Sequence, residues 1–309
     1  MVLSGRHPSS GHEIFSPEAH LQPGGIANFT STAVALGART GLAAVIGDGA
    51  ASRLTLDMLE KDRIDTSRMV HVSGWDVPVT SAFTYNGDRA LVTGGMPTPL
   101  DVHTSLQVEA VGAVALHLQL ADIPWLPETT ARVFGDVGWD DSGRWDRAVL
   151  RHLEHCEGFL PNLDEAQAYT RTDTPLAAAR ALSELVPIVV VTCGEAGAIA
   201  IDSRTSTEVS VPALHLGPVD PTGAGDTFGA AFILALTAGW GLRDAVEFGT
   251  LTATARAAGV NGPLTPPTET QLATIAWQHN LHITGRFSTR FKHPVPLAHP
   301  HPPLPSIEQ

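Results

Sequence analysis

The chain has 309 residues, of which 43% are hydrophobic, and it carries a formal net charge of −13 at pH 7. This length and composition predict a globular protein with a sizeable core, built as one large α/β domain or two smaller ones. The negative charge repels phosphate backbones and anionic lipid, which argues against nucleic acid or a membrane surface as the main partner.

The cysteines and the apolar segments of the sequence indicate where in the cell the protein is located. Cys156 and Cys193 provide neither a disulfide framework nor a metal-binding spacing, so we expect a reducing, cytoplasmic location. Residues 1–20 lack the apolar core of a signal peptide. The most apolar run, residues 229–242, is too short and too interrupted by glycine to span a bilayer, and it is interpreted as a buried helix.

Short β-branched runs alternate with longer helical patterns, which is typical of a parallel sheet covered by helices on both faces. The predicted strands cover 42–46, 113–118, 132–134, 158–160 and 188–191, and the predicted helices cover 24–38, 51–63, 145–155, 164–169, 175–185, 226–238, 243–258 and 268–279. Two further strands, 77–85 and 89–93, are joined by Asn86-Gly87-Asp88, a strong hairpin signal. The sequence therefore predicts a doubly wound α/β fold interrupted by one β-hairpin.

A glycine pair, Gly24 and Gly25, precedes the first predicted helix, and Asn28 lies one turn into that helix. Glycine lets the backbone approach a ligand closely, and the asparagine amide offers both a donor and acceptors to hydroxyl groups. The pattern is typical of a site for a polyhydroxylated ligand. The alternative is a simple glycine turn followed by a surface asparagine.

Asn162 and Glu165 follow a predicted strand that ends at Leu160, at the sheet edge where ligands of open α/β folds bind. Spaced three apart at a helix start, the two side chains face the same way. The alternative is structural, because Asn162 can cap the helix while Glu165 completes a capping box. Asp136 also ends a predicted strand, but its surroundings gave no reason to assign it a chemical role.

Thr192, Gly194 and Gly197 follow the buried run Val189–Val191 and precede a second strand. A threonine hydroxyl and glycine amides at this position are placed to contact the phosphates of a nucleotide, while Gly197 permits the chain reversal. A plain hairpin turn is the alternative.

The stretch DPTGAGDTF, residues 220–228, joins a glycine-rich turn to a carboxylate at the start of a long apolar helix. Small residues at Gly223, Ala224 and Gly225 let backbone N–H groups converge, and the helix N-terminus adds its positive dipole end. Negative charge is stabilised there, and Asp226 is placed to accept the proton of a substrate hydroxyl. The alternative is that Asp226 only caps its own helix.

Taken in order, these four motifs resemble the signature of the PfkB family of carbohydrate kinases, the ribokinase-like enzymes, from Gly24 to about Pro267. The resemblance implies a ribokinase-like three-layer αβα fold with a doubly wound sheet and a small β lid. It also implies that Asp226 is the catalytic base and that the amides of Gly223, Ala224 and Gly225 form the anion hole.

The resemblance assigns the remaining matching residues to ligands. It implies that substrate is bound by Gly24, Gly25 and Asn28, and that the nucleotide side is lined by Thr192, Gly194, Gly197 and Thr222. Asn162 and Glu165 would organise Mg²⁺ through water or phosphate. Asp220 and Thr222 match positions that help relatives to bind a monovalent cation such as K⁺.

The same resemblance defines the expected domain organisation. Residues 1–285 would form the kinase domain, with lid strands at roughly 12–22 and 76–94 that relatives often use to form homodimers. Residues 286–309 are rich in proline and histidine and are expected to be a disordered tail.

One departure from the family concerns the start of the fold. Ribokinase-like chains open with a central strand that carries a substrate-binding aspartate, followed by a lid segment and the glycine pair. In this sequence no aspartate precedes Asp48, and the residues before Gly24 have room for the lid segment only. We therefore expect the first core strand to be missing.

Two explanations of this departure remain open. Either the natural start lies upstream and this is a slightly shortened kinase, or the chain is a nucleotide-binding regulatory protein that has lost efficient sugar phosphorylation. The expected function is ATP-dependent and Mg²⁺-dependent phosphorylation of a hydroxymethyl group of a sugar or related polyol. A nucleoside kinase acting on an adenosine-like substrate is the alternative enzyme.

Overall fold

A computed structural model describes residues 2–4, 11–13, 15, 19–85, 88–99, 111–217 and 219–287. The strands are β1 (Val2–Ser4), β2 (Ala19–His20), β3 (Val45–Gly47), β4 (Val70–Val72), β5 (Val79–Tyr85), β6 (Asp88–Gly94), β7 (Ala113–His117), β8 (Arg132–Asp136), β9 (Gly158–Phe159), β10 (Ile188–Thr192), β11 (Ala198–Asp202) and β12 (Thr207–Val211). The helices are α1 (Ile26–Ala35), α2 (Ala50–Lys61), α3 (Leu163–Thr170), α4 (Pro175–Leu182), α5 (Ala224–Thr237), α6 (Leu242–Ala257) and α7 (Glu269–Gln278), with 3₁₀ helices at Arg147–His155, Gly194–Ala196 and His282–Arg286.

The central sheet has six strands in the order β12-β11-β10-β9-β8-β7. Strands β7 to β10 are parallel, as predicted, whereas β11 and β12 run antiparallel to their neighbours. The reason lies in the connections, since only residues 203–206 join β11 to β12, and parallel neighbours need a crossover of a dozen residues or more. The sheet is therefore mixed.

Two layers of helix cover this sheet, and β10 shows how the sequence creates both. Its side chains alternate between the two faces. Ile188 and Val190 join the core cluster that includes α5 and α6, whereas Val189 and Val191 join the cluster that includes α3 and α4. All four are almost completely buried. The predicted three-layer αβα architecture is confirmed.

A second sheet lies outside the three layers and has the order β2-β1-β5-β6. The predicted hairpin is present as β5 and β6, which pair antiparallel from Val79 to Tyr85, although the Asn86-Gly87 turn itself lies outside the described residues. Among the described residues of the lid segment predicted at 12–22, Ala19–His20 form a strand. The short strand β1, which no pattern predicted, pairs parallel with β5.

The six-stranded sheet ends at β7. Among the described residues, no strand pairs with the outer edge of β7. Strands β3 and β4 instead form a separate two-stranded parallel sheet. Beside it, α1, α2 and their connections share a small core of Ala27, Leu42, Leu59 and Ile64.

The described chain ends in a packed segment. Arg286, which we placed at the start of the tail, donates to Asp244 on α6 at 2.8 Å, and the Phe287 ring lies 6.0 Å from the ring of Phe248. The ordered contacts thus extend at least to Phe287, and the rest of the predicted tail, 288–309, lies outside the described residues. No described helix has the length and apolar character needed to cross a membrane.

Candidate active site at the start of helix α5

The turn before α5 requires glycine. Gly223 has φ 72° and ψ 14°, in the left-handed region. A Cβ at this position would lie 2.9 Å from Nη2 of Arg256 and 3.0 Å from Nδ2 of Asn28. The backbone of the turn therefore lies directly against two polar side chains, and any other residue type would strain the backbone and displace these side chains.

The amides of this turn are only partly available to a ligand. The Ala224 N–H donates to the Pro221 carbonyl at 3.1 Å, so it already has an acceptor. The N–H groups of Gly223 and Gly225 have no protein acceptor among the described residues, and a Cβ at Gly225 would meet no atom within 4 Å. Two of the three predicted anion-hole amides thus remain unpaired at a helix N-terminus.

Asp226 does not cap its own helix. The N-cap of α5 is Gly223, with no side-chain hydrogen bond to the helical amides. The Asp226 Oδ2 atom instead accepts a hydrogen bond from Asn28 Nδ2 at 3.0 Å. The N-cap alternative is therefore excluded, and the carboxylate is held by a residue nearly two hundred positions earlier in the chain.

The environment of Asp226 changes its acidity. Burial raises the pKa of Asp226 to about 6, while the hydrogen bond from Asn28 and the charge of Arg256 act in the opposite direction. A carboxylate that titrates close to neutral pH is well matched to accept a proton from an alcohol during reaction. Asp226 thus has a pKa that suits a general base.

Helix α1 brings the glycine pair and Asn28 to this carboxylate. Gly25 has φ 56°, which suits glycine, and it immediately precedes α1. Helix α1 packs against α5, with the buried hydroxyls of Thr32 and Thr227 3.3 Å apart. Asn28 itself is only 8% exposed. The alternative of a surface asparagine is excluded, and the first and last motifs meet in one place.

Asn162 and Glu165 form the capping box that was the structural alternative. Asn162 Oδ1 accepts from the Glu165 N–H at 3.0 Å, and Glu165 Oε2 accepts from the Asn162 N–H at 2.9 Å. Glu165 Oε1 makes no hydrogen bond to any described residue. Burial raises the pKa of Glu165, which is 6% exposed. The cap leaves one carboxylate oxygen of this largely buried side chain available for a ligand.

Asp136, for which no sequence motif predicted a chemical role, belongs to the same group of carboxylates. Burial raises its pKa well above the ordinary value, and the charges of Glu165 and Asp226 raise it further. Carboxylates that disfavour one another's ionisation are stabilised by a bound cation. In the described ranges, no three or more His, Cys, Asp or Glu side chains are grouped to hold a metal ion directly. The mutual repulsion of the three carboxylates suits a cation such as Mg²⁺, which proteins hold partly through water and phosphate.

The predicted nucleotide loop lies beside Asn162. Thr192 ends β10, forms a parallel bridge with Asn162, and donates its N–H to Pro161 at 3.1 Å. Gly197 is required by the turn, because it has φ 93° and a Cβ there would lie 2.0 Å from the Val211 carbonyl oxygen. Gly194 is exposed. The hairpin alternative accounts for Gly197, while Thr192 and Gly194 border the same sheet edge as Asn162.

Asp220 and Thr222 lie behind the turn and contact a residue that sequence reasoning missed. Asp220 Oδ1 accepts from the Thr222 N–H at 2.9 Å, and the Asp220 N–H donates to the Ala257 carbonyl at 2.8 Å. Arg256 on α6, only 2% exposed, donates through Nη1 to the Thr222 carbonyl. The available signal was a lone arginine within TATARAAG, a run of otherwise small residues.

Comparison with known proteins agrees with this geometry. Residues 128–266 match the model of the pfkB family carbohydrate kinase. The ribokinase of Bacillus subtilis (strain 168) is 26% identical over 257 residues, which is 80% of this chain and 85% of that protein.

Solved structures show the same fold. The nucleoside kinase of Methanocaldococcus jannaschii, described as an archaeal member of the ribokinase family, superimposes with a TM-score of 0.72 at 20% identity, over 90% of this chain and 94% of that one. An Escherichia coli protein solved in complex with ATP and Mg²⁺ gives a TM-score of 0.73 at 18% identity, over 90% and 96% of the two chains.

Proposed function

We propose that this chain, whose residues 128–266 match the pfkB family carbohydrate kinase model, is a member of that family and transfers the γ-phosphoryl group of ATP to a hydroxymethyl group of a sugar or related polyol. The observation that carries the proposal is the Asp226 carboxylate, which is held by Asn28 beside the unpaired amides of Gly223 and Gly225. A base and an anion hole at one helix N-terminus are the two groups that phosphoryl transfer to an alcohol requires.

The residues of the site divide the reaction between them. Asn28 and the backbone at Gly24 and Gly25 position the acceptor, and Asp226 takes the hydroxyl proton as the oxygen attacks the γ-phosphorus. The bond between the γ-phosphorus and the bridging oxygen breaks, and ADP leaves with the electron pair. The N–H groups of Gly223 and Gly225 stabilise the charge on the transferring group. The proton on Asp226 then passes to solvent.

We place the proposed nucleotide and Mg²⁺ sites at the carboxyl ends of the strands of the central sheet. Thr192, Gly194 and Thr222 would line the nucleotide phosphates, and the free oxygen of Glu165, together with Asn162, would hold the waters of Mg²⁺. Bound to the phosphates, Mg²⁺ neutralises part of their charge. The Escherichia coli structure with ATP and Mg²⁺ supports this pair of cofactors for the fold.

A nucleoside acceptor is the second candidate. It is favoured by the similarity of the fold to that of an archaeal nucleoside kinase. A regulatory protein without efficient phosphorylation is the third, and the intact contact between Asn28 and Asp226 counts against it. The nature of the acceptor distinguishes the first two candidates, and the presence of any turnover separates both from the third.

The decisive experiment measures ADP release with ATP and Mg²⁺ across a panel of sugars, polyols and nucleosides. We expect one acceptor class to stimulate ADP release, and Asp226→Asn to reduce kcat by about a hundredfold or more, the usual effect of losing a general base. Nucleotide binding, measured by calorimetry, should be unchanged in this variant. Equal turnover in Asp226→Asn would remove Asp226 from the mechanism, and ATP binding without turnover for any acceptor would favour the regulatory protein.

Oligomeric state and location complete the proposal. We propose a homodimer through the β5–β6 sheet, because Leu91, Val92 and Met96 are more than half exposed there. A molar mass in solution equal to that of one 32.5 kDa chain would contradict the dimer. A cytoplasmic location is supported by the two free cysteines, Cys156 and Cys193, and is tested by cell fractionation.

A further inference from the structure

We propose that Arg256 is a built-in cation of the candidate active site and takes the place of the monovalent cation expected at Asp220. The inference rests on the proposed function, because it concerns the charge behind the same anion hole. It predicts that the enzyme works without K⁺ or Na⁺.

The position of Arg256 is set by the packing of α6 against α5. The side chain is almost completely buried, and its Nη1 atom donates to the carbonyl of Thr222, the residue before the glycine turn. Its Nη2 atom is the nearest neighbour of the space that a Cβ of Gly223 would occupy, at 2.9 Å. The guanidinium group thus lies directly against the turn that carries the unpaired amides of Gly223 and Gly225.

These contacts leave a monovalent cation without its ligands. Such a cation at Asp220 would need carboxylate and carbonyl oxygens around it, but the Thr222 carbonyl already accepts from the guanidinium group. Asp220 Oδ1 is also engaged, since it accepts from the Thr222 N–H. A second positive charge at this place would also be repelled by the first. The residues present therefore do not fit K⁺.

Negatively charged carboxylates surround the guanidinium group, as a buried cation requires. Asp220 and Asp226 both interact with it electrostatically and favour its charged form, against the effect of burial. A buried charge without such partners would be strongly destabilising. Arginine remains protonated in proteins, so its charge is permanent. The guanidinium group thus offsets one of the two negative charges before any ligand binds.

Arg256 is also linked to the substrate side of the site. One terminal atom of the Gln22 amide lies 3.0 Å from Asn28 Oδ1 and 3.2 Å from Nη2 of Arg256. Arg256 therefore supports the anion-hole turn directly and Asn28 through one intervening side chain. It is a positioning residue, since it reaches the reacting groups through Thr222, Gly223 and Gln22.

The first test compares kcat for ADP release in tetramethylammonium salts with kcat in K⁺ and Na⁺ salts, at constant Mg²⁺ and ionic strength. We expect the same kcat in all three. Activation by K⁺ of about tenfold, equivalent to 1.4 kcal/mol of transition-state stabilisation, would overturn the inference while leaving the kinase function intact.

The second test removes the charge. Arg256→Met should lower kcat by about tenfold to a hundredfold, the cost of a displaced anion hole, and added guanidinium or K⁺ should restore part of it. Arg256→Lys, which keeps the charge, should lose less. The matched control is Arg243→Met, because Arg243 lies on the same helix but is exposed. Wild-type kcat in Arg256→Met would overturn the inference.

A thermal readout separates this inference from the proposed function. If no acceptor supports turnover in any salt, the kinase proposal fails, but the cation question is still answered by Tm. We expect K⁺ and tetramethylammonium to give the same Tm for the wild-type protein, and K⁺ to raise the Tm of Arg256→Met. A K⁺-specific increase in the wild-type Tm would show a real cation site and overturn the inference.

Discussion

Asp226 is surrounded by groups that act on its charge in opposite directions. Burial at the start of α5 favours the neutral acid, whereas Asn28 from α1 and Arg256 from α6 favour the carboxylate. Asp136, at the end of β8, is close enough that the Asp226 charge raises its pKa. The balance among these elements, and not the identity of the residue alone, makes the carboxyl a base suited to neutral pH.

The pH dependence of the reaction should report this balance. Because the base must be ionised and its pKa is raised to about 6, kcat/KM should be constant above that pH and fall about tenfold per pH unit below it. The measurement is a pH profile of kcat/KM with saturating ATP and Mg²⁺. A break near pH 4, the ordinary value of an aspartate, would contradict the raised pKa.

Two variants assign the break to Asp226. Asn28→Ala removes a hydrogen bond that stabilises the carboxylate, and Arg256→Met removes a charge that does the same, so both should move the break to higher pH. Arg243→Met should leave it in place. A variant that merely loosened the fold would reduce kcat/KM at every pH without moving the break.

Two constraints act on Gly223 at the start of α5: a left-handed backbone and the lack of space for a Cβ. A matched pair of variants can separate them. Gly223→Ala would combine a left-handed backbone with a Cβ 2.9 Å from Arg256, whereas Gly239→Ala, at φ 80°, would meet no atom within 4 Å. Backbone strain alone costs about 1 to 2 kcal/mol for a non-glycine residue. Gly223→Ala should therefore lose more stability than Gly239→Ala and should also lose most of its activity.

Denaturant unfolding and kcat/KM measure the two effects of that pair. Gly239→Ala serves as the control, since Gly239 follows α5 at the end remote from its glycine turn. Equal losses of stability in the two variants, with activity retained in both, would mean that Arg256 and Asn28 move aside easily. The close packing behind the anion hole would then have no functional weight.

The sequence predicted long helices most accurately and short strands least accurately. The predicted bounds of α5, α6 and α7 lie within two residues of the observed ones, because their apolar positions repeat over several turns. Strands β1 and β4 have three residues each, too few for a period to be recognised. Strand β12 alternates clearly but follows a turn without glycine or proline, so it was not separated from the loop.

The sequence predicted several single residues of the candidate site but not how these residues are arranged in space. Motif chemistry identified Asp226, Asn28 and Glu165, whose roles depend on residue type and local spacing. Asp136 and Arg256 were missed because their importance arises from burial beside those carboxylates, which depends on tertiary packing. The same packing decided that Asn162 and Glu165 do form a capping box, a question that spacing alone left open.

The site lies between two parts of the molecule, one built on a large hydrophobic core and the other on a small one. Helices α5 and α6 belong to the main core with the six-stranded sheet, whereas α1 shares its small core with Leu42, Leu59 and Ile64 beside the two-stranded β3–β4 sheet. The parts meet where Asn28 contacts Asp226 and where Thr32 contacts Thr227. The proposed substrate ligand Asn28 and the proposed base Asp226 thus belong to different parts of the molecule, so we expect catalysis to depend on how firmly these parts are held together.

Hydrogen exchange should reveal this difference in support. The amides of Val45–Gly47 in β3 belong to a two-stranded sheet, whereas those of Ile188–Thr192 lie between two neighbouring strands in a fully buried region. Backbone amides with fewer buried contacts open at lower free energy, so β3 should exchange much faster than β10 in the free protein.

Binding of ATP, Mg²⁺ and an acceptor should slow exchange in α1 and β3 but leave β10 unchanged, because the ligands bridge Asn28 and the α5 turn. Equal protection of β3 and β10 without ligand would show that the two parts form one cooperative unit, and ligand protection confined to α5 would show that α1 does not contribute to the site.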